Sequence, residues 1–168
     1  MILKNIVNLI DSFSRFVGKT VSYIMILVVA VVTYEVSMRY IFEQPTIWAS
    51  EAIVFCCGIV YVLGGSWTLL EKRHVKIDIL WGKFSPRTKK IVDSITFFFF
   101  ALYIGLMIWE GSKFAVESIN LAETTGTPWD PPVYPIKIIF VTGMVMLFMQ
   151  GISKFVKDLY FIIKGKEL

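Results

Sequence analysis

Residues 49–70 read ASEAIVFCCGIVYVLGGSWTLL, an apolar run in which Glu51 is the only charged side chain. At about 1.5 Å of rise per residue, a helix of this length crosses the hydrocarbon core of a bilayer, which is about 30 Å thick. Similar apolar stretches cover residues 21–38, 91–109 and 134–152. Because 56% of the 168 residues are hydrophobic, a soluble fold of this size could not bury all four stretches. We predict an all-α membrane protein with four transmembrane helices, forming a single domain over residues 1–168.

The lysines and arginines lie in alternate segments between these stretches. Residues 1–20, 71–90 and 153–168 hold 14 of the 17 basic residues. The two intervening loops and the adjoining helix ends hold the other three, which are Arg39, Lys113 and Lys137. Since Lys and Arg concentrate in cytoplasmic loops, both termini and the middle loop are predicted to be cytoplasmic. The net charge of +4 then faces anionic lipid headgroups and gives no indication of nucleic-acid binding.

Residues 1–19 have apolar and polar residues at helical spacing. Apolar side chains recur every three or four positions between Ile2 and Val17, and polar ones such as Lys4 and Asp11 occupy the opposite side. This pattern predicts an amphipathic helix that lies in the cytoplasmic membrane interface. The alternative is a simple cytoplasmic extension of the first span.

Several classes of chemistry have no residues to support them. The single histidine, His74, cannot supply both axial ligands of a bis-histidine haem within one chain. Cys56 and Cys57 are adjacent on a helix, where neighbouring side chains point about 100° apart, and a loop C-x-x-C pair is absent. No phosphate-binding glycine loop, zinc-protease motif or nucleophile elbow is present. We expect no enzymatic activity, cofactor or metal site. His74 is typical of a surface residue, with pH sensing as the alternative.

Acidic side chains at the outer ends of the spans are the main functional candidates, because charges in lipid are costly. These are Glu35, Glu51 and Glu110. One interpretation is an ion-coupled site at Glu35 in a self-sufficient, homo-oligomeric small transporter. The favoured interpretation is that the acids fix helix ends and hold a partner protein. Arg39 and Glu51 flank a short turn and could pair across it, and Gln150 is expected to form an interhelical hydrogen bond.

Local signals predict where the helices begin. Thr46 is a candidate N-cap for the second span, and Ser85 followed by Pro86 is a start signal for the third. The longest outer loop contains TTGTPWDPP at residues 124–132, which favours a stiff turn and includes Trp129.

Two motifs resemble signatures of one transporter family. The first is Tyr34-Glu35-Val36-x-x-Arg39-Tyr40-x-Phe42-x-x-Pro45-x-x-Trp48-x-x-Glu51, at the outer turn of the first hairpin. The second is Arg73-His74-Val75-x-x-Asp78, after the second span. A looser match is Pro135-x-Lys137 with Gly143. Together they resemble the small membrane subunit of tripartite ATP-independent periplasmic (TRAP) transporters, and the length and four-span layout agree.

The resemblance implies a partner system. In such transporters a periplasmic binding protein captures an organic acid, such as a C4-dicarboxylate, a keto acid or sialic acid, and a large elevator-type membrane subunit carries it inward with sodium. The resemblance implies that this chain is a non-catalytic subunit of the bacterial inner membrane, which braces the large subunit and helps to dock the binding protein. Sodium coupling is then expected in the large subunit. The residues given partner or structural roles are Glu35, Arg39, Tyr40, Pro45, Trp48, Glu51, Arg73, His74, Asp78, Trp129, Pro135 and Lys137.

Overall fold

The computed structural model describes residues 2–73 and 84–166. Within these ranges the chain forms five helices and no strand. They are α1 (Ile2–Ser22), α2 (Ile24–Tyr40), α3 (Ala49–Leu70), α4 (Pro86–Asn120) and α5 (Tyr134–Lys164). Four helical segments are long and apolar enough to cross a membrane, with α1 and α2 counted as one. The prediction of an all-α protein with four such helices is confirmed.

Helices α1 and α2 follow each other almost without interruption. Tyr23, which separates them, itself has right-handed helical backbone angles. Gly18 lies against the Trp67 side chain, and Arg15 pairs with Glu71 at 3.6 Å. Helix α1 therefore packs antiparallel to α3, as α2 does. The second half of α1 therefore extends the first span.

The amphipathic pattern of α1 is present, but the face that packs on the bundle combines apolar and polar residues, and Lys4 of the polar side is exposed. Val7, Ser14 and Gly18 are buried, whereas Leu9 and Phe16 are exposed. This orientation suits a helix in an apolar environment, because exposed apolar side chains there carry no hydration cost and polar ones need partners.

Helix α5 is the centre of the bundle. It packs antiparallel to α4 along most of its length, and it also contacts α3 and α1. Glycines permit the close approaches: a Cβ added at Gly143 would lie 2.3 Å from a methyl of Val62, and one at Gly151 would lie 2.3 Å from the Phe100 ring. In the described residues α4 packs extensively only on α5, so α3 and α4 are separated by a cleft whose floor is α5.

Most of the deeply buried side chains are polar. Apart from Ala49, the described side chains with at most 2% exposure are Ser14, Ser66, Ser118, Gln150, Ser153 and Asp158. Large apolar side chains such as Phe98, Phe99 and Trp109 are exposed. Small and hydrogen-bonding residues between helices, with apolar residues outside, are typical of helix packing in membranes.

The start of α4 is as predicted, and that of α3 is not. Ser85 accepts a hydrogen bond from the Thr88 N–H at 3.2 Å, with Pro86 at the first helical position. In α3 the cap position is Trp48, without a side-chain bond, so Thr46 as N-cap is wrong. Thr46 still accepts a hydrogen bond from the Ala49 N–H at 3.3 Å, from a position outside the helix.

Candidate functional site

One end of the bundle holds the α2–α3 turn and the α4–α5 loop and is organised around Glu35. We call it the outer end, after the orientation predicted from the sequence, and the opposite end the inner end. This carboxylate is 6% exposed. One oxygen accepts hydrogen bonds from Arg39, four residues later on α2, at 2.5 and 3.2 Å. The other accepts from the backbone N–H and the hydroxyl of Thr46, at 3.3 and 2.5 Å. Both oxygens are therefore engaged by the chain's own hairpin, and Glu35 ties the end of α2 to the start of α3.

The suggested ion pair between Arg39 and Glu51 is wrong. Arg39 turns back along its own helix, where residues four apart are neighbours, and binds Glu35. Glu51 instead accepts a hydrogen bond from the Thr125 hydroxyl at 3.0 Å. Glu51 thus connects α3 to the α4–α5 loop, a partner that spacing along the chain could not indicate.

The α4–α5 loop is a rigid turn, as its composition predicted. The Thr125 and Thr127 hydroxyls are 2.9 Å apart, and Thr127 accepts a hydrogen bond from the Asp130 N–H at 3.2 Å. The Asp130 carboxylate accepts from the Gly126 N–H at 2.8 Å. Gly126 and Asp130 both have positive φ angles, 68° and 51°. These bonds hold the neighbouring Trp129 at the tip, with 39% of its surface exposed.

Lys137 fixes the base of this loop to the first turns of α5. Its ammonium donates to the Glu123 carboxylate at 2.5 Å, and this hydrogen bond holds the pKa of the Glu123 carboxyl below its ordinary value. The Val133 N–H also donates to the Glu123 carbonyl at 2.9 Å. Pro135 lies in the same turn, at a position that needs no backbone donor.

The remaining residues of the first motif divide between packing and exposure. Trp48 stacks on Tyr34, with ring centroids 6.2 Å apart. Tyr40 is 76% exposed and Pro45 is also exposed. The structure therefore joins Glu35 and Arg39 with Thr46 in one cluster, packs Trp48 on Tyr34, and leaves Tyr40 and Pro45 exposed.

The second motif is described only at its first residue. Arg73 is exposed, and its backbone N–H donates to the Thr68 carbonyl at 2.9 Å, which closes the end of α3. His74 and Asp78 lie outside the described residues. Contacts of the twelve predicted residues with partner proteins stay a prediction.

A second polar cluster, at the inner end of the bundle, was missed from the sequence. Asp11 of α1 accepts hydrogen bonds from Gln150 at 3.0 Å, from Ser153 at 2.9 Å and from Lys157, all on α5. The expected interhelical bond of Gln150 is thus confirmed. We call this group, together with the ion pairs of the next paragraph, the inner charge network.

Helix α4 joins the inner charge network through two further ion pairs. Lys90 binds Asp158, a carboxylate that is 2% exposed, and Lys154 binds Asp93 at 2.7 Å. Lys154 also approaches Asp158 at 3.8 Å. The signal in the sequence was the polar stripe at positions 150, 153, 154, 157 and 158, which recurs at helical spacing after the apolar part of α5.

Comparison with known proteins gives one result. The family described as "Tripartite ATP-independent periplasmic transporters, DctQ component" matches residues 28–160, which is most of the chain. A search of curated proteins finds no match.

Proposed function

Since this chain belongs to the DctQ component family of tripartite ATP-independent periplasmic transporters, we propose that it braces the large membrane subunit of a sodium-coupled transporter and helps to dock the periplasmic binding protein. Membership of this family confirms that the chain is a small membrane component of a transporter and not an enzyme. Three parts of the proposal follow from the resemblance. They are the organic-acid substrate class, sodium coupling in the large subunit and location in the bacterial inner membrane.

The observation that carries a bracing role is the absence of a polar site at mid-membrane. The central parts of the spans, residues 24–34, 54–65, 97–108 and 140–149, hold no charged side chain. Helices α3, α4 and α5 are continuous through this region. Secondary transporters generally place substrate and ion sites near the midplane, on interrupted helices with free backbone groups. The described part of this chain offers neither.

Exposed apolar faces support contact with a large partner in the membrane. Helix α4 presents Phe98, Phe99, Leu102 and Trp109, all more than half exposed. In the described residues this helix is held almost entirely by α5, so the rest of its surface is free to pack on another subunit. Rigid aromatic side chains supply large contact areas at a low entropic cost.

The outer end has the properties of a docking surface. Its two turns are joined by the Glu51–Thr125 hydrogen bond, and the longer one is stiffened by the bonds around Asp130. A preformed surface binds without the cost of ordering loops. Because basic residues concentrate at the other end, we place this surface on the periplasmic side, facing the binding protein.

The alternative is a self-sufficient homo-oligomeric transporter that uses Glu35. An ion-coupling carboxylate must exchange partners during transport. Both oxygens of Glu35 instead accept hydrogen bonds from Arg39 and Thr46 of the same hairpin, at the outer end of α2. This geometry favours a structural role.

Reconstitution tests the proposal. Liposomes containing only this chain should take up neither organic acids nor sodium, and liposomes containing this chain, the large subunit and the binding protein should show sodium-driven uptake. The three-component sample is the control for protein quality. Substrate-specific uptake by the chain alone would overturn the bracing role and establish the small-transporter alternative.

A further inference from the structure

A cavity of about 320 Å³ lies at the inner end of the bundle, between α1, α3, α4 and α5. Among the described residues, its walls include four lysines, Lys72, Lys90, Lys154 and Lys157, and two carboxylates, Asp11 and Asp158. We call it the basic cavity. Its size falls within the range of small-molecule sites, about 300–1,000 Å³.

The ion pairs of the inner charge network neutralise only part of the positive charge of the cavity lysines. Three of the lysines are paired with the two carboxylates of the wall and with Asp93. Lys72 forms no ion pair with a described residue, so one positive charge remains. An ammonium also has three N–H donors, and the ion pairs engage one or two of them on each paired lysine. Donors therefore remain for an anionic ligand.

A second cavity, of about 160 Å³, shares Leu69, Lys154 and Asp158 with the first. Its other walls include Phe97 and Phe100 of α4. These two residues lie about two to three turns farther along α4 than Lys90, toward the middle of the span. The second cavity is deeper in the membrane than the basic cavity. Its charged wall residues, Asp93, Lys154 and Asp158, are paired with one another at one side, and the rest of its lining is mainly apolar. We call it the apolar cavity.

Together the cavities match the polarity of one lipid molecule. The apolar cavity lies beside the cleft between α3 and α4, where α5 forms the floor and no extensive helix contact closes the gap. An acyl chain is the apolar group that reaches this depth from the membrane surface. Basic pockets between transmembrane helices at the cytoplasmic side are suited to anionic lipid headgroups.

We propose that the basic and apolar cavities bind one acidic phospholipid, with its phosphate at Lys72, Lys90 and Lys157 and an acyl chain against Phe97 and Phe100. The bound lipid fills the cleft between α3 and α4, and it joins these helices, between which the described residues form no extensive contact. If the orientation proposed above holds, the bound lipid belongs to the cytoplasmic leaflet. The rest of the proposal does not depend on the orientation.

The experiment is native mass spectrometry of the full chain purified in detergent. Phosphatidylglycerol and phosphatidylcholine with identical acyl chains are added in equal amounts. Phosphatidylglycerol should be retained several-fold more strongly, because its phosphate is not neutralised by a choline group. Equal retention of the two lipids would overturn the proposal.

Two lysine variants locate the site. Lys72→Gln removes the unpaired cavity charge without leaving a buried acid alone, and it should weaken phosphatidylglycerol binding about fivefold. Lys89→Gln is the matched control, since Lys89 is at the same end of the bundle and outside the walls of the cavity. An equal loss in both variants would show diffuse attraction to basic residues and would overturn the site.

A soluble competitor distinguishes the source of the phosphate. Glycerophosphoglycerol, which is phosphatidylglycerol without its acyl chains, carries the same phosphodiester, and at millimolar concentration it should leave the bound lipid in place. Displacement would assign the basic cavity to a soluble phosphate compound and overturn the role of the apolar cavity. None of these measurements involves a partner subunit or transport, so their failure would leave the proposed function untouched.

Discussion

Glu35 and Asp11 are both acidic residues of the first span, and they organise its opposite ends. Glu35 accepts hydrogen bonds within its own hairpin, whereas Asp11 accepts them from three residues of α5. In an apolar environment a carboxylate without partners is costly, so each is surrounded by donors. Replacing either carboxylate alone should therefore lower the free energy of unfolding by more than the loss of an exposed ion pair would.

The first prediction concerns Glu35. Glu35→Ala should lower the free energy of unfolding by about 1–3 kcal/mol, because it leaves the Arg39 guanidinium and the Thr46 hydroxyl without their acceptor. The measurement is thermal or denaturant unfolding in detergent. Glu117→Ala, at an exposed position of α4, is the control and should change stability by no more than about 0.5 kcal/mol. Equal effects of the two substitutions would contradict the structural role of Glu35.

The second prediction concerns pH at the outer loop. Lys137 lowers the pKa of Glu123 in the folded protein, so the folded state favours the ionised carboxylate. The resulting stabilisation is fully present above the ordinary glutamate pKa, about 4.3, and it is lost as the pH falls through the lower folded value. Wild type should unfold at a higher temperature than Glu123→Gln at pH 7, and the difference should shrink below about pH 4. A difference that grows on acidification would contradict this sign.

At the scale of the element, α5 determines the architecture. It contacts α1, α3 and α4, and its close approaches occur at Gly143 and Gly151. In lipid the hydrophobic effect does not drive helices together, so close packing at small residues is a main source of helix association. The polar end of α5 then adds interhelical bonds. Gln150 binds Asp11 of α1, Lys154 binds Asp93 of α4, and Asp158 of α5 binds Lys90 of α4.

The third prediction tests this packing. In Gly143→Ala the new Cβ would lie 2.3 Å from a Val62 methyl and 2.9 Å from the Val62 carbonyl oxygen, so α3 and α5 must move apart. We expect a loss of about 1–3 kcal/mol in unfolding free energy. Gly64→Ala is the matched control, because nothing lies within 4 Å of its added Cβ. Removing a helix-interior glycine there should be neutral or stabilising, by up to about 1 kcal/mol.

At the scale of the whole molecule, the two ends differ in chemistry. The inner end carries most of the basic residues and the inner charge network, and the outer end carries the two stiffened turns. A membrane component with this asymmetry can meet a periplasmic protein at one end and anionic lipid at the other. The apolar sides between them remain available for the large subunit.

The fourth prediction is the orientation. Because 14 of the 17 basic residues fall in alternate segments, Thr125 should be periplasmic and Lys89 cytoplasmic. An alkaline phosphatase that is active only in the periplasm should be active when fused after Thr125 and inactive when fused after Lys89. Similar expression of both fusions is the control. Equal activity of the two fusions would overturn the assignment.

The sequence by itself determined the number and approximate position of the spans, the start of α4 at Ser85 and the stiffness of the 124–132 turn. These features depend on local properties, namely the length of an apolar run and the backbone preferences of Ser, Pro, Gly and Asp. The two motifs, at Glu35 and at Arg73, together with the four-span layout, also indicated the family that the comparison confirmed.

Only the tertiary structure decided which polar side chains meet. Arg39 binds Glu35 rather than Glu51, Glu51 binds Thr125, and α1 is rotated so that Asp11 contacts α5. The physical reason is that such pairings depend on how each helix is rotated about its axis and on which helices are neighbours. Both are set by packing between segments that are far apart in the chain, where glycines such as Gly143 allow close contact.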